Sequence, residues 1–245
     1  MRPLIFLGCR QATGQLAVVA EAMGYEVKGI LDFQYYQNPD YPTQKISNIP
    51  FIGSDLWLLD KENAQAQEWL NECDFFVADY FGGPMSQLRS YKLRIRRIQM
   101  LEHLGIDSPN LIHPNTDLRG LSSKYTDGSL RIGKGNFIDN DVVIHQDAVE
   151  IGDYCVMAWG TRISHGAKVG NNVTFCPKTF YQECDIGNDV FLGHGSELSP
   201  FARDRITIGD RSTVWANSSI IKDVPDDSIY THKDRIMSKR AVYKQ

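Results

Sequence analysis

The chain has 245 residues, enough for two domains or one large one, and its 42% hydrophobic and 23% charged content is that of a globular protein. A formal net charge of −4 leaves no basic footprint for nucleic acid. No run approaches the about eighteen apolar residues of a membrane span, and Met1 leads straight into a strand without a signal-peptide pattern, so a cytoplasmic protein away from membranes is expected.

Five cysteines (Cys9, Cys73, Cys155, Cys176, Cys184) are widely spaced with no CxxC pair, which predicts buried thiols in a reducing compartment. Residues 4–8, Leu-Ile-Phe-Leu-Gly, read as a strand ending in glycine. An amphipathic helix follows (Leu16, Val18, Val19, Ala22, Met23), then a second strand, Val27 to Leu31, ending at Asp32. Strand, glycine turn, helix, strand and acid open a nucleotide-binding α/β domain, although the turn lacks the GxGxxG spacing; a βαβ scaffold without a nucleotide fits the same residues. Residues 34–49 read as a polar loop whose tyrosines (Tyr35, Tyr36, Tyr41) cover the domain edge or stack on a base. Ile49 to Gly53 is the next strand and turn. A helix is expected over Lys61–Leu70 and a buried strand over Asp74–Ala78. Residues 86–104 carry apolar positions at helical spacing and end at Gly105; Arg89, Arg94, Arg96 and Arg97 read as the solvated face of that helix. The linker lies near Leu104–Pro114.

From Ile132 to Pro225 an aliphatic or aromatic residue returns every six positions, usually with a small or short polar residue behind it. Ile132, Ile138 and Ile144 begin the series; after one extra residue come Ile151, Met157, Ile163, Val169 and Phe175. Ile186, Leu192 and Leu198 form a second run, and Ile208, Val214 and Ile220 a third. A sustained six-residue period is the signature of a β-helix, in which three hexads close one triangular coil and successive coils stack about 4.8 Å apart. A β-sandwich does not hold one spacing for so long. Gly133, Gly152, Gly170, Asn171, Gly187, Asn188 and Gly209 are expected at corners that need positive φ.

This pattern resembles the left-handed β-helix of the hexapeptide-repeat acyltransferases. The two-part layout, with Leu111-Ile112-His113-Pro114 as bridge and Ile220-Ile221-Lys222-Asp223-Val224-Pro225 closing the repeats, resembles the sugar acyltransferases that modify UDP-4-amino sugars or sialic acid. The resemblance implies an α/β substrate-binding domain over 1–108, a β-helix acyltransferase domain over 109–230 and a C-terminal tail over 231–245. It implies acetyl-CoA as co-substrate, a sugar nucleotide or acidic sugar as acceptor, no metal, and a homotrimer with acyl-CoA lying between neighbouring subunits.

The resemblance places the catalytic base at His165, four residues before Val169-Gly170 and twelve before Pro177. Acyl transfer needs a base to take a proton from the attacking amine or hydroxyl, and histidine suits that task near neutral pH. The family commonly has an acid directly after this histidine; here Gly166 follows. Counting eighteen residues on gives Glu183 as a substitute orienting acid. His145 falls near Ser164 by the same count, second in its hexad, and is expected to point differently from His165.

Carried over by position, CoA contacts fall on Thr174, His194, Gly195 and Ala216, and acceptor contacts on Gly8, Asp32 and Gly53. Arg10 stands in the altered first turn, where it suits a phosphate or carboxylate. The ending Tyr230-Thr231-His232-Lys233-Asp234 departs from the family's Gly-x-Pro-Ala. Two other readings share the β-helix. A γ-type carbonic anhydrase needs two close histidines on one edge, and His145, His165 and His194 are too dispersed for that zinc site. A non-catalytic trimeric binding scaffold agrees with Gly166 and the altered first turn.

Overall fold

The computed structural model describes residues 1–9, 12–38, 40, 45–79, 88–118, 130–145, 148–198, 205–231 and 235–238. The chain forms two compact units: residues 1–82 with 87–114, and 83–86 with 115–245. Among the described residues no helix is long and apolar enough to cross a membrane.

The first unit runs β1 (Leu4–Leu7), α1 (Thr13–Ala22), β2 (Val27–Leu31), α2 (Phe33–Tyr36), β3 (Lys45–Ile46), β4 (Ile49–Gly53), a 3-10 turn (Asp55–Leu59), α3 (Ala64–Glu72), β5 (Asp74–Val77) and α4 (Leu88–His103). The sheet order is β3-β4-β2-β1-β5, parallel except for β3. All four residues of β1 are buried, as a central parallel strand covered on both faces requires. Strand order reverses between β1 and β5, and in open α/β sheets the carboxyl ends at such a reversal form the ligand crevice.

Three local expectations are corrected in this unit. Residues 33–36 form a short helix instead of loop, because the Asp32 carboxylate caps it by accepting from the Gln34 N–H at 2.9 Å. α3 begins at Ala64, later than expected, because Asn63 caps it through the Ala66 N–H at 3.0 Å. Arg94 and Arg97, expected in water, are each 2% exposed. The buried face of α4 passes over the sheet end and carries both guanidiniums inward. Arg96 stays exposed.

In the second unit three parallel sheets wrap one interior, each built from two- or three-residue strands. Ile132 pairs with Ile151, Ile151 with Val169, Val169 with Ile186 and Ile186 with Ile208, so successive coils are 19, 18, 17 and 22 residues long. The short coil absorbs the five-residue gap between Tyr181 and Ile186. The hexad aliphatics from Ile138 onward point inward and are buried. Ile236–Ser238 runs antiparallel to Ser228–Tyr230 and adds one strand from the expected tail.

One corner corrects the reading of its glycines. The positive φ falls two residues later, at Gly135, Tyr154, Asn172, Asp189, Arg211 and Asp227. Gly152, Gly170 and their equivalents are needed instead for close approach. A Cβ on Gly170 would stand 2.8 Å from the carbonyl of Gly187 in the next coil. Beside them runs a column of Asx side chains. Asn171 Oδ1 accepts from the Asp153 N–H at 2.8 Å, Asn188 from Asn171 at 2.9 Å, Asp210 from Asn188 at 2.7 Å and Asp226 from Asp210 at 2.9 Å. Each coil thereby satisfies an orphan backbone donor of its neighbour.

Candidate active site

A second corner of the β-helix carries His165. The strand Arg162–Ser164 buries Ile163 and Ser164 and then ends in two consecutive left-handed residues, His165 at φ 40° and Gly166 at φ 64°. The sharp turn presents the imidazole to solvent. Glycine meets the steric demand of the second left-handed position.

Glu183 lies one coil on from His165: its backbone N–H donates to the His165 carbonyl at 2.8 Å, and its own φ is 46°. The count of eighteen residues thus puts the two side by side in register. His145 follows Ile144, which pairs with Ile163, so it falls beside Ser164 as the count expects. Its ring stands 6.4 Å from that of His165, centroid to centroid, and within 17° of parallel.

Arg205 joins this corner without having been legible in the sequence. It follows residues 199–204, outside the hexad register. Its guanidinium forms a fork with Asp185 at 2.6 and 2.7 Å and donates to the carbonyls of Gly166 at 2.9 Å and Cys184 at 3.1 Å. These are the residues directly after His165 and Glu183. The hydrogen bonds from Arg205 hold the Asp185 carboxyl below the usual carboxylate range.

A third corner gathers most of the expected CoA residues. Backbone bonds from Gly195 N to Pro177 O (3.0 Å) and from Asn217 N to His194 O (2.8 Å) bring His194, Gly195 and Ala216 together on adjacent coils. A Cβ on Gly193 would meet Ala216 N at 2.5 Å and one on Gly195 would meet Asn217 Oδ1 at 2.6 Å, so only small residues allow the stack. Trp159 and Trp215 are exposed on this corner, and Lys178 Nζ lies 5.0 Å over the Trp159 ring. Thr174 stands apart from this exposed wall, buried in a strand between Val156 and Phe191.

In the α/β unit the expected acceptor positions lie at the carboxyl ends of the strands. Gly8 follows β1, Asp32 follows β2, Gly53 ends β4, and Asp55 and Asp79 complete the row. One guanidinium occupies its centre. Arg97 is paired with Asp55 at 2.7 Å, with Asp32 at 3.2 Å and with Asp79. The partners are as buried as Arg97 itself. A Cβ on Gly8 would stand 2.1 Å from Arg97 Nη1, so the absent side chain makes room for the arginine. Gly53 does the same for an aromatic, since its Cβ would meet the Trp57 ring at 2.4 Å. Asp32 both caps α2 and pairs with Arg97. Arg10 lies outside the described residues.

Burial raises the carboxyl pKa values of Asp32 and Asp79 against the opposing pull of Arg97. Burial likewise pushes the neighbouring Cys9 thiol to about 12, so it is no nucleophile near neutral pH. Arg94 donates to the carbonyl of Asp79 at 2.6 Å and closes the cluster from below. Beside it a pocket of about 250 Å³ is lined by Phe33, Leu56, Leu59, Leu93, Arg96 and Met100. Among the described residues no group of three or more His, Cys, Asp or Glu side chains is arranged to hold a metal ion.

No family model matches the chain. It is 23% identical over 155 residues to the bifunctional protein GlmU of Azorhizobium caulinodans, covering 54% of this chain and 35% of that protein. It is 33% identical over 102 residues to GlmU of Listeria monocytogenes serotype 4a, covering 34% and 21%. The chain thus spans about a third or less of the curated relatives it matches. Solved structures match both units. A histidine-to-alanine variant of GDP-perosamine N-acetyl transferase from Caulobacter crescentus, in complex with CoA and GDP-perosamine, matches 96% of this chain and 97% of its own at 22% identity and a TM-score of 0.68. This chain has the fold of the hexapeptide-repeat sugar N-acetyltransferases. WeeI from Acinetobacter baumannii AYE matches 97% and 100% at 15% identity and a TM-score of 0.72. The acetyltransferase domain of PglB from Neisseria gonorrhoeae FA1090, in complex with acetyl coenzyme A, matches 94% and 96% at 20% identity and a TM-score of 0.53.

Proposed function

We propose that this protein transfers an acetyl group from acetyl-CoA to the amino group of a nucleotide-linked sugar, with His165 as general base. The observation that carries the reading is an exposed imidazole on a tight left-handed turn of a β-helix whose near full-length structural relatives hold CoA and GDP-perosamine. In the reaction the acceptor nitrogen attacks the thioester carbonyl, a C–N bond forms and the C–S bond breaks. His165 takes the proton lost by nitrogen and returns it to the departing sulfur. Glu183 orients that ring from the next coil.

Acyl-CoA lies along the corner of His194, Gly195 and Ala216, where small residues let pantetheine reach the backbone. Thr174, buried in its strand apart from this wall, is left out of the CoA site. A homotrimer is part of the reading, with the groove shared between copies. In the α/β unit Gly8, Asp32 and Gly53 shape the crevice indirectly, since each is committed to Arg97 or Trp57. The exposed guanidinium of Arg96 and the adjoining pocket are then the contacts for the acceptor's phosphate, with Arg10 in the first turn as a second cation.

The test is release of free thiol from acetyl-CoA against UDP-, dTDP- and GDP-linked amino sugars and sialic acids. A productive acceptor whose turnover falls about 100- to 10,000-fold in a folded His165→Ala variant supports base and reaction together. Unchanged turnover in that variant removes His165 as base. Silence across the panel, with no acetyl-CoA binding by calorimetry, replaces the enzyme by a trimeric scaffold.

A further inference from the structure

We infer that Lys178, held against the Trp159 ring, binds a phosphate group of the acyl donor; the inference rests on the reading of the neighbouring corner as the wall for acyl-CoA. The lysine stands in a column of left-handed residues, one per coil: Asp141 (φ 56°), Gly160 (73°), Lys178 (59°), Gly195 (65°) and Asn217 (55°). The backbone ladder sets that register. Lys178 N–H donates to the Trp159 carbonyl at 3.1 Å, Gly195 N–H to the Pro177 carbonyl at 3.0 Å and Asn217 N–H to the His194 carbonyl at 2.8 Å. Glycine, asparagine and aspartate take this conformation readily, whereas a lysine is strained in it. Strain held at one position of a repeat points to a task for that side chain.

The side chain is held in place along its length. A Cβ on Gly160 would stand 3.4 Å from Lys178 Cγ, so the stem lies along the preceding coil where glycine leaves room. Its ammonium ends 5.0 Å over the Trp159 ring, within cation–π reach, and that ring is 41% exposed. Among the described residues no carboxylate pairs with Lys178. Arg162, two residues past Gly160, is instead paired with Asp141 of the same column at 3.2 Å. The ring meets one side of an ammonium whose other N–H donors stay open to an anion. An exposed lysine fixed on an aromatic face beside the corner of His194, Gly195 and Ala216 suits a phosphate, which it grips as a point charge. Acyl-CoA carries a diphosphate and a ribose 3′-phosphate, either of which has that chemistry.

The experiment is calorimetric titration of the full chain with CoA and with 3′-dephospho-CoA, comparing wild type with Lys178→Asn and Lys178→Arg. Asparagine removes the charge and suits the left-handed turn, as Asn217 does in the same column. CoA should bind Lys178→Asn about three- to fifteen-fold more weakly, the lower range of an ionic hydrogen bond because the site is open to solvent. The melting temperature of that variant should equal or exceed that of wild type, since strain is relieved. Lys178→Arg should keep most of the affinity, and Trp159→Leu should lose about two- to five-fold as the lysine loses its support. The 3′-dephospho ligand assigns the group. If wild type and Lys178→Asn bind it alike, the lysine holds the 3′-phosphate; if the variant still binds it more weakly, the lysine holds the diphosphate.

Equal CoA affinity in wild type and Lys178→Asn overturns the inference alone, and a lower melting temperature in that case leaves Lys178 as a brace of the turn. A variant in which only the KM for the amino-sugar acceptor rises also overturns it, because the cation then serves the other substrate. Wild-type affinity in Trp159→Leu overturns the part given to the ring. A wild-type chain that binds no CoA at all sinks the reading of the corner, and the inference with it.

Discussion

The two units of this molecule use glycine for the same physical reason at opposite scales. In the β-helix a glycine recurs once per coil at one corner, and each lets the backbone of the next coil pass within van der Waals reach. In the α/β unit a single glycine, Gly8, admits one guanidinium, around which three carboxylates converge. The first arrangement spreads its dependence over many equivalent contacts, each felt mainly by its neighbours. The second concentrates it in one buried side chain. Repetition makes the β-helix tolerant and legible; the ion cluster is neither.

The largest effect that separates the two is loss of the central cation. Arg97→Met leaves three buried carboxylates facing one another, and removing one partner of a buried ion pair costs about 3–5 kcal/mol. Urea unfolding of the α/β unit, followed by the fluorescence of Trp57 and Trp69 with Trp159 and Trp215 replaced by Phe, should show that loss. A shift under about 1 kcal/mol would mean that the carboxylates tolerate the loss and that the cluster is not the unit's weak point. By contrast Gly170→Ala should cost about 1–3 kcal/mol, the price of overpacking one site among several. Its disturbance should stay within adjoining coils, as hydrogen exchange of the Ile151–Ile186 backbone would report. Loss of protection along the whole β-helix would contradict the distributed picture.

A smaller effect follows from protons. Burial raises the pKa values of Asp32 and Asp79, so the folded unit binds more protons than the unfolded chain above the ordinary Asp value of about 3.9. Their stabilising contribution is complete below that pH and is lost as pH rises through the raised values. The urea midpoint of the α/β unit should therefore fall as pH climbs from about 4 toward neutrality, and Asp79→Asn should flatten the slope. An unchanged slope in that variant would place the excess proton elsewhere.

How much of this was legible follows from the same contrast. Inward aliphatics at a fixed period gave the β-helix, because one side chain per hexad must be buried in every coil. The count of eighteen matches the backbone register that sets Glu183 one coil on from His165. It likewise set His145 level with Ser164, one residue short of His165. Arg97 was misread because a helical pattern cannot tell a buried arginine from a solvated one, and its partners lie far along the chain. A signal was present all the same: Leu31-Asp32, Ser54-Asp55 and Ala78-Asp79 each put an acid at the end of an apolar strand. Three acids at the carboxyl edge of one parallel sheet demand a cation. Arg205 left no comparable trace, because it enters its corner from outside the repeat.

Arg205→Lys should have the smallest effect on stability and a disproportionate one on turnover. The fork to Asp185 is about 40% exposed on both sides, so solvent screens it and its loss should cost no more than about 0.5–1 kcal/mol. Lysine keeps the charge but cannot bond Asp185, Gly166 O and Cys184 O at once. The turn that carries His165 then loses one of its ties to the next coil, and kcat should fall several-fold with the KM for acetyl-CoA unchanged. The pH dependence checks the cause. Arg205 lowers the Asp185 pKa, so the fork stabilises the fold above the ordinary Asp value of about 3.9 and ceases to do so as pH falls through the lowered one. The urea midpoints of wild type and Arg205→Lys should therefore differ at neutral pH and converge in acid. A gap that persists at the lowest pH would assign the loss to the two carbonyl bonds, whose acceptors do not titrate, and would make Arg205 a brace of the backbone whatever becomes of Asp185.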